Sequence, residues 1–260
     1  MPPRARARSS PPDWGDWLRR WDAQQESFNP EREQRFSVMF DVAEALVGRR
    51  FRALDLGCGP GSLSVRLLRR FPAARVVAVD YDPVSLRVGR GAVGSVGGRL
   101  HWVDAKLGAP GWTRALPAGR FDAAFSTTAL HWLKPRDLAA LYRDLGRRIR
   151  PGGVFLNGDR LWSGPSDRFF SGLSEKVRTI RFGGKRRASE WTGWNRWWRD
   201  AERLPELAPL FTERARRSAQ HPKDGDTPLE AQIRYLRRAG FRQIRIVWGD
   251  LENRVLLARR

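Results

Sequence analysis

Apolar positions follow two rhythms along the chain. Trp14, Trp17, Leu18 and Trp21 recur at helical spacing, and Phe36, Met39, Phe40, Ala43 and Leu46 do so again after Asn29-Pro30, predicting two helices within 13–47. The period then shortens. Residues 51–56 form a short apolar run closed by Gly57, Gly59 and Gly61, and Leu63, Leu67 and Leu68 mark a helical face behind it. Further strands are predicted at 75–79, 100–103, 121–125 and 154–156, with helices at 84–90 and through Leu138, Leu141, Leu145 and Ile149. Strands alternating with helices imply an α/β fold of the doubly wound, Rossmann-like kind, with a mainly parallel sheet covered on both faces.

Residues 160–225 break the alternation. They are rich in Arg and Trp and are patterned as helix near 169–180 and 191–204, so an inserted helical cap is expected. A helix at 229–239 ends at Gly240, and strands at 241–248 and 254–258 form an antiparallel hairpin at the sheet edge, making seven strands. The expected divisions are a flexible basic tail (1–12), N-terminal helices (13–47), a core (48–159), the cap (160–225) and the end of the core (226–260).

Composition narrows the function classes. At 260 residues and 41% hydrophobic the chain can bury a sizeable core. Its formal charge is +21, but only five of the 49 basic residues are lysines, and the arginines are dispersed rather than clustered. That distribution argues against nucleic acid as the main partner. No apolar run reaches the roughly 20 residues that span a bilayer, and the N-terminus lacks the apolar middle of a signal peptide, so a soluble, cytoplasmic protein is expected. Cys58 is the one cysteine, and His101, His131 and His221 lie far apart, which gives no thiol-based zinc spacing and no expectation of a metal.

Chemistry concentrates in Leu54-Asp55-Leu56-Gly57-Cys58-Gly59-Pro60-Gly61, where a strand runs into a helix. Glycines at alternate positions leave little side-chain bulk, so a ligand can press against the backbone at the carboxyl end of the sheet. The spacing is not that of a dinucleotide fingerprint, and no Lys-Ser/Thr follows as in a P-loop. Asp80 ends the second strand, where a carboxylate can accept from a ribose diol. Asp104 ends the third, where it can accept from an adenine amino group. Asp82, before Pro83, is better placed as a helix N-cap.

With these residues in view, the sequence resembles the class I S-adenosylmethionine-dependent methyltransferases, over about residues 50–160 and more loosely over 225–260. Residues 54–61 are similar to that family's first motif, Val79-Asp80 to its ribose-binding position, Val103-Asp104-Ala105 to its adenine-binding step, and Arg150-Pro151-Gly152-Gly153-Val154 to the turn entering its fifth strand. Ala129-Leu130-His131-Trp132 resembles the trans-aconitate methyltransferase group, of the small-molecule type. The resemblance implies S-adenosylmethionine as cofactor, bound by Asp55, Gly57, Cys58, Gly59, Gly61, Asp80, Tyr81, Asp104, Ala105 and Ser126. It implies methyl transfer by in-line displacement to a small organic acceptor, with oxygen the leading acceptor atom and nitrogen and carbon left open. His131 is the expected base, and His131, Trp132, Trp162, Trp194 and His221 are the expected acceptor contacts. Trp194, Trp197 and Trp198 share one helical face, for which packing onto the sheet is the simpler reading and an aromatic acceptor slot the functional one. RNA or protein methylation, or a silent cofactor-binding interaction protein, are the alternatives.

Overall fold

The computed structural model describes residues 11–29, 31–162, 164, 168–182, 185–218 and 227–260; residues 1–10 of the expected tail and His221 lie outside them. Five strands run parallel: β1 (Arg52–Leu56), β2 (Arg75–Asp80), β3 (Leu100–Asp104), β4 (Phe121–Thr127) and β5 (Ile149–Arg160). Two more, β6 (Gln243–Asp250) and β7 (Asn253–Arg259), join antiparallel, and the order across the sheet is β3-β2-β1-β4-β5-β7-β6. The order reverses between β1 and β4. In open sheets of this kind, the crevice at the carboxyl ends beside that reversal is where ligands bind.

Alternate strand residues feed opposite faces, as a sheet covered on both sides requires. Leu54, Leu56, Val77, Val79 and Phe155 pack with Leu138, Leu141, Tyr142 and Leu145 of α5 (Pro135–Arg148) and Leu236 of α9 (Leu229–Arg238). Ala53, Val76, Ala78, Phe125, Val154 and Leu156 pack with Phe36, Met39, Phe40 and Ala43 of α2 (Arg32–Val47) and Leu63, Leu67 and Leu68 of α3 (Ser62–Arg70). The helix after β2, α4 (Pro83–Val93), starts as the sequence indicates: Asp82 accepts from the Ser85 N–H, with Pro83 in the first turn.

Two expectations are corrected. The fifth strand is not 154–156 but twelve residues, because Arg150-Pro151-Gly152-Gly153 is a bulge within it rather than a turn before it. Gly152, at φ 77°, and Gly153 exchange backbone hydrogen bonds with Arg260, which carries the strand through the irregularity. Residues 168–218 hold α6 (Arg168–Phe182), α7 (Lys185–Arg203) and α8 (Ala208–Ser218), but the tryptophan face of α7 does not pack on the sheet. It packs on α1 (Trp14–Phe28): Trp197 lies edge-on to Trp17 at 5.6 Å and to Trp21 at 5.0 Å, and Trp194 lies 5.5 Å from Trp21. Val84 and Val88 of α4 complete this third core. The helical period marked the apolar stripe correctly but could not say which surface it would meet.

Trp197 is buried, and its indole N–H donates to the Trp17 carbonyl at 3.2 Å. Trp197→Ala should therefore cost about 3–5 kcal/mol, read as a lowered urea midpoint at unchanged slope.

Candidate functional site

The glycine turn is pinned from one side by β2. The N–H groups of Gly57 and Cys58 both donate to the Val79 carbonyl, at 2.8 and 3.1 Å, and the Gly59 N–H donates to Asp80 Oδ2 at 2.6 Å. Gly57 and Gly59 take φ of 68° and 53°, in the left-handed region that side chains disfavour. At Gly57 a Cβ would also stand 2.4 Å from the Ala129 methyl, whereas at Gly59 it would meet nothing nearer than the Trp21 ring at 3.6 Å. Gly59 thus faces a space whose outer wall is α1.

Asp80 gathers the rim. Its Oδ1 accepts from the Tyr81 and Asp82 N–H groups at 2.6 and 2.8 Å, while its Oδ2 serves Gly59. Three of its roughly four acceptor positions are taken by backbone, leaving about one for a ligand rather than the two a ribose diol would use. Burial nevertheless outweighs these bonds and pushes its pKa up to about 6. Asp104 is its register partner on β3, and the Ala105 N–H donates to the Asp80 carbonyl at 2.9 Å, so the third strand's end is tied to the same point.

Asp55 sits beneath the turn, buried, with Oδ2 accepting from the Ser64 hydroxyl at 2.6 Å and Oδ1 without a described partner. Burial pushes its pKa up to about 7. Cys58 is buried and its thiol is pushed well up, which makes it a packing residue of the turn rather than a reactive one. Ser126 is not brought to the rim: its hydroxyl is buried and donates to the Leu56 carbonyl at 2.8 Å. Among the described residues, no group of three or more His, Cys, Asp or Glu converges as a metal site.

On the β4–β5 side, His131 Nδ1 lies 2.8 Å from Asp159 Oδ1, and Trp132, exposed, lies 5.0 Å from the His131 ring. Burial works to raise the Asp159 pKa, but the His131 ring, Arg35 and the Arg160 N–H overcome it and hold the carboxyl below its usual range. Arg35, buried on α2, reaches Thr127 and Thr128 at 2.6 and 2.5 Å and Asn253 at 3.0 Å, and burial lowers its pKa to about 10. Trp162 donates to the Ser171 hydroxyl at 3.2 Å. Trp194 belongs to the α1–α7 cluster, a different set of neighbours, so the expected acceptor residues do not form one described constellation. Asp159, Arg35, Trp21 and the α8 arginine Arg217, which grips Asp104, were not expected from the sequence. Asp159 alone carried a local signal, as an acid at the end of an apolar strand, and the short strand assigned there left it outside.

A folded-state pKa near 7 means that the native chain keeps a proton on Asp55 that the unfolded chain, near 3.8, has released. The stabilisation from this group is full below about pH 4 and is lost as pH rises through 7. Asp55→Asn removes that loss. Its unfolding free energy from urea titration should gain on the wild type between pH 5 and pH 8, by roughly 2–4 kcal/mol at the upper end, and a constant difference across this range would refute the assignment.

Residues 53–153 match the family described as a methyltransferase domain. The chain is similar to a trans-aconitate 2-methyltransferase of Azoarcus sp. (strain BH72), 36% identical over 155 residues, covering 57% of this chain and 54% of that protein. It is also similar to a malonyl-[acyl-carrier protein] O-methyltransferase of Xylella fastidiosa (strain M23), 31% identical over 128 residues, covering 48% of this chain and 41% of the relative. The chain thus spans about half the length of the curated relatives it matches. Its fold is similar to that of an O-methyltransferase family protein from Burkholderia thailandensis, with a TM-score of 0.58 at 17% identity, covering 93% of this chain and 59% of that one. First motif, strand order and sequence match agree that residues 53–153 form a methyltransferase domain similar to those of the class I S-adenosylmethionine-dependent methyltransferases.

Proposed function

We propose that this chain transfers the methyl group of S-adenosylmethionine to an oxygen atom of a small organic acceptor. The observation that carries the reading is the glycine turn closed by Asp80, with the unpartnered Asp55 oxygen beneath it and Asp104 alongside. Such a cradle fits a cationic nucleoside: it offers bare backbone and carboxylates. When bound, the cofactor supplies an electrophilic methyl group on positively charged sulfur.

The chain's own residues supply position and charge. Gly57 and Gly59 would let the ligand approach the backbone, Asp80 would take one ribose hydroxyl, and ionised Asp55 would favour positive charge near the turn. A cation close to either acid draws its pKa down, so binding near neutral pH would release protons. His131 is the acceptor-side group. With Nδ1–H donating to Asp159, the ring exchanges protons at Nε2, the position from which it would take the proton of a hydroxyl acceptor. The orientation comes from a buried carboxylate, as in other base–orienter pairs. Two relatives are named for acceptors that carry carboxyl groups, trans-aconitate and malonyl-[acyl-carrier protein], which supports oxygen as the methylated atom.

Calorimetry should show the wild type binding S-adenosylhomocysteine and Gly59→Leu losing at least about tenfold in affinity at unchanged far-ultraviolet circular dichroism. With trans-aconitate as the first probe and a panel of small hydroxy and carboxylic acids after it, turnover should release S-adenosylhomocysteine and form an oxygen-linked methyl group. On a hydroxyl acceptor, His131→Gln should cut kcat about 10²–10⁴-fold with cofactor affinity intact. Binding without transfer to any oxygen acceptor would overturn the oxygen assignment, and undiminished binding by Gly59→Leu would overturn the site.

A further inference from the structure

Two arginines one turn apart on α8 hold the rim of the cofactor crevice. Arg214 donates from Nε to Asp82 Oδ2 at 2.7 Å, and its guanidinium stacks 3.8 Å from the centre of the Trp198 ring. Arg217 takes both oxygens of Asp104, Nη1 to Oδ1 at 2.7 Å and Nη2 to Oδ2 at 3.1 Å, and the same Nη1 donates to the Tyr81 carbonyl at 2.8 Å. Its guanidinium lies 4.7 Å from the centre of the Tyr81 ring. Tyr81 and Asp104 are both among the expected cofactor residues, Asp104 at the adenine. One side chain of α8 binds both.

We infer that Arg217 is a cofactor-site residue contributed by α8, which competes with the adenine of the cofactor for the Asp104 carboxylate. The inference rests on the S-adenosylmethionine site proposed above. A bidentate guanidinium–carboxylate pair takes two of the roughly four acceptor directions and offsets the negative charge, so Arg217 and an adenine amino group compete for one carboxylate. The exchange is cheap for the arginine, because its Nε also pairs with Glu213 Oε1 at 2.6 Å, one turn back on its own helix. Released from Asp104, Arg217 therefore keeps a counter-charge. The neighbouring contact is different in kind: Asp82 caps α4 with its other oxygen, accepting from the Ser85 N–H at 2.8 Å, so the Arg214–Asp82 pair joins two helices and stays in place. Arg214 thus anchors α8 to the rim and Arg217 latches it.

The pair is partly exposed, with 17% of the Arg217 side chain and 38% of the Asp104 side chain accessible, so its strength is moderate and screened by salt. The test is calorimetric titration of the full chain with S-adenosylhomocysteine, whose net charge near neutrality is zero, in low and high salt. Arg217→Gln should bind about fivefold more tightly than the wild type. The wild type should tighten as salt rises, Arg217→Gln should not, and Arg217→Lys should fall between them. Equal or weaker binding by Arg217→Gln, or a wild-type affinity that salt leaves unchanged or weakens, overturns the inference; the wild-type salt series decides even if the variants fail to fold. Failure of every form to bind S-adenosylhomocysteine overturns instead the cofactor site on which it rests.

Discussion

The rim of this molecule depends on one carboxylate accepting from three backbone N–H groups. Asp80 takes Gly59 from the turn after β1 and Tyr81 and Asp82 from the turn after its own strand, while its carbonyl takes Ala105 from the turn after β3. Each of these segments is irregular and would otherwise be costly to order, the glycine turn most of all. A single acid makes three loops into one unit, and burial of that acid sets its pKa near 6. The glycines therefore provide access while the aspartate provides rigidity. A larger side chain at Gly59 and a neutral one at position 80 would damage the same crevice by different routes.

Strand and helix order were legible because buried parallel strands appear as short apolar runs and surface helices as stripes, both local patterns. The hairpin of β6 and β7 was legible for the same reason. What failed was anything that depended on a partner surface. Pro151-Gly152-Gly153 carries the composition of a turn, yet pairing with the C-terminal residue draws it into β5. The α7 tryptophans are a genuine apolar face, yet the face they meet is another row of tryptophans almost two hundred residues earlier, at Trp17 and Trp21.

The same division runs through the site. The glycine turn, Asp80 and Asp104 are each fixed by the end of a strand, so their spacing in sequence already placed them along one crevice. His131 and Asp159 follow different strands and meet only because β4 and β5 are adjacent. Arg35 lies further still from the threonines it holds, and it passes so close to Gly158 that a Cβ there would stand 2.8 Å from its Cδ. No local pattern encodes a contact of this sort. Ser126 shows the converse: the family resemblance implied a ligand contact, but its hydroxyl is spent on the neighbouring strand.

The large positive charge takes on a specific meaning once these contacts are known. Arg32 and Arg66 converge on Asp22, Arg35 binds two hydroxyls and an amide, Arg214 stacks on Trp198, and Arg217 grips Asp104. Each use needs a planar, multidentate cation that tolerates partial burial, which arginine provides and lysine does not. A protein built almost without lysine can therefore spend much of its basic excess as internal ties between helices and strand ends. Some of those ties end on acids of the rim, Arg214 on Asp82 and Arg217 on Asp104, so α8 also offsets part of the negative charge gathered at the strand ends.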